Sequence, residues 1–254
     1  MGPTWVLGDP HAGHDAEADA ALLELLHRAA EHAVDLVVMG DLFVAWIARP
    51  RFFTPLQANV VAALESVRNR GGRVRFVVGN RDYLVDGLLG SAFDAVYADE
   101  VLVDVGGAKT LLLHGDGLDP EDRPYRAWRA FSRSAPARAL LEALPGAVGR
   151  QLAERTERGL RDVNTQYKTG PLPVRALQAV SRRAARAGAA RAIVGHFHDD
   201  ATITADDGVP VHVAPGWFER RVVLEATPDA LRAVAGGPSA SRSEDVPTGT
   251  QGSD

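Results

Sequence analysis

The chain has 254 residues, of which 46% are hydrophobic and 24% charged, so it is long enough to bury a core and too apolar for a disordered protein. A formal net charge of -5 gives no support for general nucleic-acid binding. The absence of cysteine excludes disulfides and thiolate metal sites. No apolar run approaches the length of a membrane span, and we expect a cytoplasmic protein.

The first hundred residues alternate apolar, strand-like runs with amphipathic helices, which is typical of parallel α/β sheets. Apolar periodicity and the positions of proline and glycine set the helix limits. The predicted strands lie near Trp5 and at 36–39 and 74–78, and the predicted helices span 17–32 and 55–69.

The second half combines a hairpin, a helical insertion and short strands. Residues 101–105 and 109–113 flank Gly106-Gly107 and predict a hairpin. The domain is expected to span 1–236, with a disordered tail of polar and small residues at 237–254. Helical patterns occupy 126–133, 136–144 and 147–163 of an inserted cap, followed by a helix at 174–187, a strand at 192–194, and antiparallel strands at 201–204, 209–213 and 221–225.

Five strand-like runs end in residues that can bind a metal, at the position where α/β sheets hold their ligands. In two of the motifs the ligands lie two residues apart, and extended backbone would direct both side chains to one side. The mixture of carboxylate, imidazole and amide suits Mn, Fe, Co or Zn. The candidate ligands are Asp9, His11, Asp41, Asn80, His114, His196 and His198.

This set is larger than one catalytic zinc needs, since such a site takes about three protein ligands. Two metals that share Asp41 would account for the number. A pair of metals about 3.5 to 4 Å apart is the arrangement that clamps the attacking and leaving oxygens in phosphoryl transfer. Arg81 directly follows Asn80, and its planar fork of donors is suited to a phosphate.

In their order along residues 9–198, the motifs Asp-x-His, Gly-Asp, Gly-Asn-x-Asp, His-Gly-Asp and Gly-His-x-His resemble those of the calcineurin-like metallophosphoesterases. The segments that begin at Gly40, Gly79 and His114 are similar to the UDP-2,3-diacylglucosamine diphosphatases of lipid A biosynthesis. The resemblance implies an α/β fold, a four-layer α/β/β/α sandwich with a helical lid inserted at about 118–170. It also implies two manganese ions, one held by Asp9, His11, Asp41 and His198 and the other by Asp41, Asn80, His114 and His196.

The same resemblance implies a reaction, the hydrolysis of the UDP-2,3-diacylglucosamine pyrophosphate to UMP and 2,3-diacylglucosamine 1-phosphate. The alternatives are a phosphodiesterase or nucleotide pyrophosphatase with another substrate, and a non-catalytic metal-stabilised scaffold. The substrate is expected to be a lipid-linked nucleotide sugar, reached through peripheral contact with the cytoplasmic face of the inner membrane. The implied catalytic residues are Asp41, Asn80, Arg81 and His114, and the implied substrate contacts are Arg81, Asp122, Tyr125, Asn164 and Lys168.

The lid region is basic and apolar. Residues 121–191 carry fifteen Lys and Arg against six Asp and Glu, a net +9, while the remainder carries -14. This favours an anionic substrate, although a solvated Arg-rich helix is the alternative. The region also contains seven large apolar residues with three possible roles. They could form an acyl-chain pocket, form a membrane-facing surface, or pack the lid onto the sandwich. These residues are Trp128, Phe131, Leu140, Leu141, Leu144, Val148 and Leu152.

Three single residues have less definite roles in the sequence. Asp116 either orients a ligand histidine or forms a turn. Trp46 belongs either to the core or to a pocket wall, and His14 is expected to be a solvated loop residue.

Overall fold

The structure is a computed structural model that describes residues 2–118, 123–149, 151, 155 and 172–236. Its helices are α1 (Ala16–Glu31), α2 (Pro55–Asn69), α3 (Arg123–Ser132), α4 (Ala135–Ala143), α5 (Val174–Arg186) and α6 (Trp217–Arg220). Its strands are β1 (Thr4–Leu7), β2 (Asp35–Val38), β3 (Trp46–Ile47), β4 (Val74–Val77), β5 (Asp82–Tyr83), β6 (Ala95–Tyr97), β7 (Val101–Val105), β8 (Ala108–Leu113), β9 (Arg191–Val194), β10 (Ala201–Ile203), β11 (Val211–Val213), β12 (Val222–Ala226) and β13 (Leu231–Ala235).

Two main sheets form the centre of the fold. The first has the order β13-β12-β1-β2-β4-β6, in which β1, β2, β4 and β6 are parallel. The second has the order β10-β11-β9-β8-β7, in which β8 is parallel to β9 and antiparallel to β7. The predicted hairpin is therefore confirmed.

The alternation of side chains along the strands separates the interior into layers. In β2, Val37 faces the second sheet and packs in one apolar cluster with Leu112 and Ile193. Its neighbours Leu36 and Val38 face the opposite way, into the cluster that includes residues of α1 and α2. Helix α5 covers the outer face of the second sheet. The predicted α/β/β/α order is confirmed.

Local signals explain why the first two helices begin where predicted. The Asp15 side chain accepts hydrogen bonds from the backbone N–H groups of Glu17 and Ala18, which caps α1. Thr54 and Gln57 form a reciprocal capping box at the start of α2, and Pro55 occupies its first turn. These caps satisfy N–H groups that have no partner inside the helix.

The prediction of one antiparallel group at 201–204, 209–213 and 221–225 is only partly right. Strand β10 is antiparallel to β11, but β11 is parallel to β9, and β12 joins the first sheet beside β1. The change of sheet occurs at α6. The backbone N–H of Trp217 donates to the carbonyl oxygen of Gly8 at 2.8 Å, and its ring is buried, which holds this turn beside the end of β1.

The two lid helices α3 and α4 agree with the predicted helices at 126–133 and 136–144. Most of 147–163, the tail at 237–254, and Asp122, Leu152, Asn164 and Lys168 lie outside the described residues. In the part of the chain that is described, no helix has both the length and the apolar character needed to cross a membrane.

Candidate metal centre

The strands β1, β2, β4, β8 and β9 end at a common edge, although they belong to two different sheets. The residues that follow these ends include all the predicted metal ligands. Because the two sheets pack face to face, strand ends from both sheets converge on one buried place. The site is thus built by the sandwich as a whole.

A first group of ligand atoms comprises Asp9, His11 and His198, which lie within 4.8 Å of one another. His11 Nε2 is 3.2 Å from His198 Nε2, and His198 Nε2 is 3.7 Å from Asp9 Oδ1. Asp9 is completely buried and His11 almost so. Two imidazoles and one carboxylate can therefore bind the same cation.

A second group comprises Asp9, Asp41 and His114. His114 Nε2 lies 3.6 Å from Asp41 Oδ1 and 3.1 Å from Asn80 Oδ1. The other oxygen of Asp41 lies 3.9 Å from His11 Nε2. Asp41 is therefore between the two groups, as a bridging ligand would need to be, and Asp9 is common to both.

The remaining predicted ligand is also at this place. The backbone N–H of His196 donates to Asp9 Oδ2 at 2.8 Å, and the centroid of the His196 ring lies 5.3 Å from that of His114.

His114 Nδ1 is 2.7 Å from the carbonyl oxygen of Met39. Because a carbonyl only accepts, Nδ1 must carry the proton, which leaves Nε2 available as a ligand.

The predicted extended backbone at the two His motifs is wrong. Asp9, His11, Asp41, His196 and His198 have positive φ angles of 36°, 45°, 49°, 69° and 52°. Left-handed backbone in residues with a side chain is uncommon, and it is often associated with functional sites. The side chains converge because the chain turns sharply after each strand.

Two glycines permit the close approach of the ligand loops. Gly40 has a φ of 93°, and a Cβ there would lie 2.7 Å from His114 Nδ1 and from the Gly79 nitrogen. A Cβ on Gly79 would overlap the Asp41 carboxylate. The glycines that precede Asp41 and Asn80 therefore leave room for the neighbouring ligand.

Asp82 has a structural role at the centre that the sequence analysis missed. Its Oδ2 accepts hydrogen bonds from the backbone N–H groups of Asp41 at 2.7 Å and Gly79 at 2.8 Å. Its Oδ1 accepts from Leu42 at 3.3 Å. Burial and the nearby charge of Asp41 raise the pKa of Asp82 to about 7. The only sequence signal was its fixed place in Gly-Asn-Arg-Asp.

Helix α6 adds two further residues that the sequence analysis missed. The Phe218 ring lies edge-on to His11 and His198, with centroid distances of 5.1 and 5.4 Å. Glu219 Oε1 lies 3.7 Å from His198 Nδ1. Burial lowers the pKa of His198, but Asp9 and Glu219 outweigh it and raise that pKa to about 9. No spacing in the sequence links this helix to the metal motifs.

The chemistry of the cluster fits divalent cations. Asp9 Oδ1 is buried and has no hydrogen-bond partner among the described residues. Burial raises the pKa of Asp41, whereas burial lowers the pKa of His11 well below its usual value and that of His196 to about 4. The buried carboxylates, together with His11 and His196 as neutral imidazoles, form a set of electron-pair donors that a bound cation would stabilise.

Arg81 lies beside this cluster as expected. Its backbone N–H donates to Asp41 Oδ1 at 2.9 Å, and its Nε is 3.3 Å from Asp41 Oδ2. Its Nη1 donates to the carbonyl oxygen of Val44 at 3.1 Å. These contacts fix the guanidinium at the edge of the centre. The His14 ring lies 5.1 Å from that of Phe218, and His14 belongs to neither ligand group.

The structure resolves the two interpretations of Trp46. Its ring is fully buried and packs against Phe43, Phe53, Phe76 and Phe93, with centroid distances from 5.0 to 6.4 Å. Trp46 is therefore a core residue.

The apolar residues of the lid fall into two groups. Leu141 and Leu144 pack against the buried cluster of Ile47, Phe52 and Leu84. The packing interpretation is thus correct for these two. In contrast, large fractions of the side chains are exposed at Trp128 (53%), Phe131 (59%), Leu140 (65%) and Val148 (48%).

Comparison with known proteins assigns the chain to a family. The family model of the calcineurin-like phosphoesterases matches residues 2–200. The chain belongs to the calcineurin-like phosphoesterase family, which confirms the prediction of a metal-dependent hydrolase.

Among curated relatives, a UDP-2,3-diacylglucosamine hydrolase of Chromohalobacter salexigens is 32% identical over 200 residues, which are 77% of this chain and 79% of the relative. A protein of the same name from Pseudomonas putida (strain W619) is 31% identical over 80% of this chain and 82% of the relative. Among solved structures, a Vps29 mutant from Entamoeba histolytica is 13% identical, with a TM-score of 0.43 over 90% of this chain and 88% of that chain.

Proposed function

We propose that this chain hydrolyses the phosphoric anhydride of UDP-2,3-diacylglucosamine, a step of lipid A biosynthesis. Water adds across the anhydride, one P–O bond breaks, and the products are UMP and 2,3-diacylglucosamine 1-phosphate. The observation that carries the proposal is the position of an exposed apolar lid beside a cluster of seven candidate metal ligands, of which Asp9, His11, Asp41 and His114 are buried. Its support from relatives is an identity of about a third over most of the chain.

Two manganese ions are the proposed cofactors. Asp9, His11, Asp41 and His198 would hold one, and Asp41, Asn80, His114 and His196 the other. When bound, the ions supply Lewis acidity and stabilise negative charge on the phosphoryl oxygens.

The residues of the chain position the substrate around this charge. Arg81 has its backbone N–H and Nε directed to Asp41, so its guanidinium stands next to the residue that would be shared by both ions. From there it would neutralise the charge that develops on the transferred phosphoryl group. The hydrogen bond between His114 Nδ1 and Met39 keeps Nε2 directed at the ligand cluster.

The lid would supply selectivity for the acylated sugar. Each acyl methylene that it buries contributes about 0.8 kcal/mol, which rapidly exceeds the contribution of an exposed ion pair. Trp128, Phe131 and Leu140 offer the apolar surface for this contact, and the same surface would give a peripheral contact with the inner membrane. Tyr125, Asp122, Asn164 and Lys168 are the proposed polar substrate contacts.

The test is product analysis with the purified, manganese-loaded chain and long-chain UDP-2,3-diacylglucosamine. We expect equimolar UMP and 2,3-diacylglucosamine 1-phosphate by mass spectrometry. Release of UDP and 2,3-diacylglucosamine would show that the bond between the sugar and the pyrophosphate is cleaved, which would contradict the proposal. Equal cleavage of non-acylated nucleoside diphosphate sugars would favour a general pyrophosphatase. A chain that binds metal but cleaves none of these substrates would favour a scaffold.

A further inference from the structure

Asp116 lies two residues after the proposed ligand His114, yet its carboxylate is directed towards the lid. Its Oδ2 accepts a hydrogen bond from the Tyr125 hydroxyl at 2.5 Å and another from Arg129 Nε at 2.8 Å. Arg133 Nη2 lies 3.8 Å from the same oxygen. The side chain of Asp116 is only 4% exposed. Asp116 stands in a turn, as one of the two sequence interpretations predicts, because the backbone N–H of Leu118 donates to the carbonyl oxygen of Gly115 at 3.1 Å. The contacts of its side chain with the lid are a further role that neither interpretation includes.

The three partners of Asp116 share one face of the lid helix. Tyr125, Arg129 and Arg133 follow one another at intervals of four residues, so their side chains line up along one side of α3 and its last turn. Trp128 and Phe131 point elsewhere, and more than half of each side chain is exposed. The helix therefore has a polar face bound to the sandwich and an aromatic face that is largely exposed, apart from the hydrogen bond between the Trp128 and Tyr83 side chains.

The same polar face also reaches the loop of a second proposed ligand. Arg133 Nη2 donates to the carbonyl oxygen of Gly79 at 3.2 Å, directly before Asn80. Its Nη1 donates to the carbonyl oxygen of Ala98 at 3.0 Å. Helix α3 therefore contacts both loops, that of Asn80 through Gly79 and that of His114 through Asp116. The two loops meet where His114 Nε2 lies 3.1 Å from Asn80 Oδ1.

We infer that Asp116 is a positioning residue that fixes helix α3, and with it the aromatic face of the lid, relative to the metal centre. Asp116, Tyr125, Arg129 and Arg133 form what we term the lid latch. The latch sets the place of the acyl-binding surface, and this part of the inference rests on the proposed function. The latch changes the role proposed for Tyr125. Because its hydroxyl donates to Asp116, Tyr125 would contribute to selectivity by holding the helix in place, and not by a direct contact with the substrate.

The first measurement needs no substrate. Hydrogen exchange of 123–132 should accelerate about 10- to 100-fold in Asp116→Asn, because the variant weakens buried hydrogen bonds that involve charged groups. Exchange in 174–186 should stay unchanged. Tyr125→Phe removes only the hydroxyl and should accelerate exchange in the same helix, which keeps the test available if Asp116→Asn folds poorly.

The matched control is Asp99→Asn. Asp99 Oδ1 also contacts Arg129, at 3.2 Å, but its side chain is 76% exposed. Exposed ion pairs contribute little, so exchange in α3 should change less than about twofold in this control. Equal acceleration in both Asp variants, or wild-type exchange in Asp116→Asn and Tyr125→Phe, would overturn the latch.

A second measurement concerns selectivity. The ratio of kcat/KM for long-chain UDP-2,3-diacylglucosamine to kcat/KM for a small chromogenic phosphodiester should fall at least tenfold in Asp116→Asn, mainly through KM. The double variant with Tyr125→Phe should lose no more than the larger single effect, since both changes act on one contact. Additive losses would contradict a shared latch, and loss of bound manganese in Asp116→Asn would make Asp116 part of the metal centre instead.

The two hypotheses fail in different ways. If the wild-type chain shows no preference for the acylated substrate, the proposed function is wrong, whereas accelerated exchange confined to α3 would still establish the latch. If the preference exists but Asp116→Asn leaves it and the exchange unchanged, the latch is wrong and the proposed function stands.

Discussion

The metal centre and the lid differ in how strongly the surrounding structure constrains the positions of their residues. At the centre, Asp9, His11 and Asp41 are almost fully buried, and several ligands keep left-handed backbone conformations. In the lid, α4 has no fully buried residue, and α3 is attached to the sandwich through the latch and nearby polar contacts. A buried and strained centre can hold a fixed geometry, whereas an exposed lid can change its contacts without disturbing that geometry.

The largest expected effect is that of Asp41→Ala. Asp41 contacts His11 and His114 on opposite sides, so its loss should remove most bound metal and lower activity by more than about 100-fold. His14→Ala is the matched control in the same part of the protein, and it should keep both properties. Metal analysis and a phosphodiesterase assay measure the two effects, and equal losses in both variants would refute the assignment of Asp41.

Arg81→Ala should lower kcat about 100-fold while bound metal is retained, because a charge-stabilising donor is lost and no proposed ligand is removed. Arg81→Lys should restore part of the rate, since lysine keeps the charge but lacks the planar fork. Steady-state kinetics together with metal content would separate these roles. A parallel loss of metal and rate would make Arg81 a structural residue.

Asp82→Asn should weaken metal binding about tenfold and lower the free energy of unfolding by about 2 kcal/mol. In either orientation the new amide NH2 would face backbone N–H groups from which Asp82 now accepts, at Leu42 or at Asp41 and Gly79. Asp86→Asn is the control, because that carboxylate is 53% exposed in its pair with Arg138. Metal titration and urea unfolding provide the readouts, and similar behaviour of the two variants would contradict this role of Asp82.

The smallest expected effect distinguishes two adjacent leucines of the lid. Leu141→Ala should lower the free energy of unfolding by about 1 to 2 kcal/mol, because Leu141 packs on the cluster of Ile47 and Phe52. Leu140→Ala should change it by less than about 0.5 kcal/mol, since Leu140 is 65% exposed. Urea unfolding measures both, and equal destabilisation would mean that the lid is packed as uniformly as the sandwich.

The sequence predicted the parts of the fold that depend on local signals. Helix α2 was predicted with both limits correct, because a proline in its first turn, an apolar stripe and two terminal glycines mark it. The candidate ligands were identified in the same way, since each follows a buried apolar run. The convergence of these residues on one place depends on the packing of the two sheets and on the sharp turns that follow the strands.

Features that depend on distant neighbours were not predictable. Nothing near Glu219 in the sequence shows that it reaches His198, because the contact depends on the bond between Trp217 and Gly8 that returns the chain to β1. The left-handed backbone at His11 was missed because residue type alone suggested an extended strand end. Leu140 and Leu141 look alike in the sequence, and only the orientation of α4 separates them.

The most direct test of the division between a fixed centre and a selective lid is the ratio of two kcat/KM values for the wild-type chain. One substrate is long-chain UDP-2,3-diacylglucosamine and the other is UDP-glucose, so the two share the pyrophosphate and differ in the acyl chains. Since a few buried methylenes contribute several kcal/mol, we predict a ratio above about 100. A ratio near one would contradict the account, because the metal centre alone would then determine which substrates are cleaved.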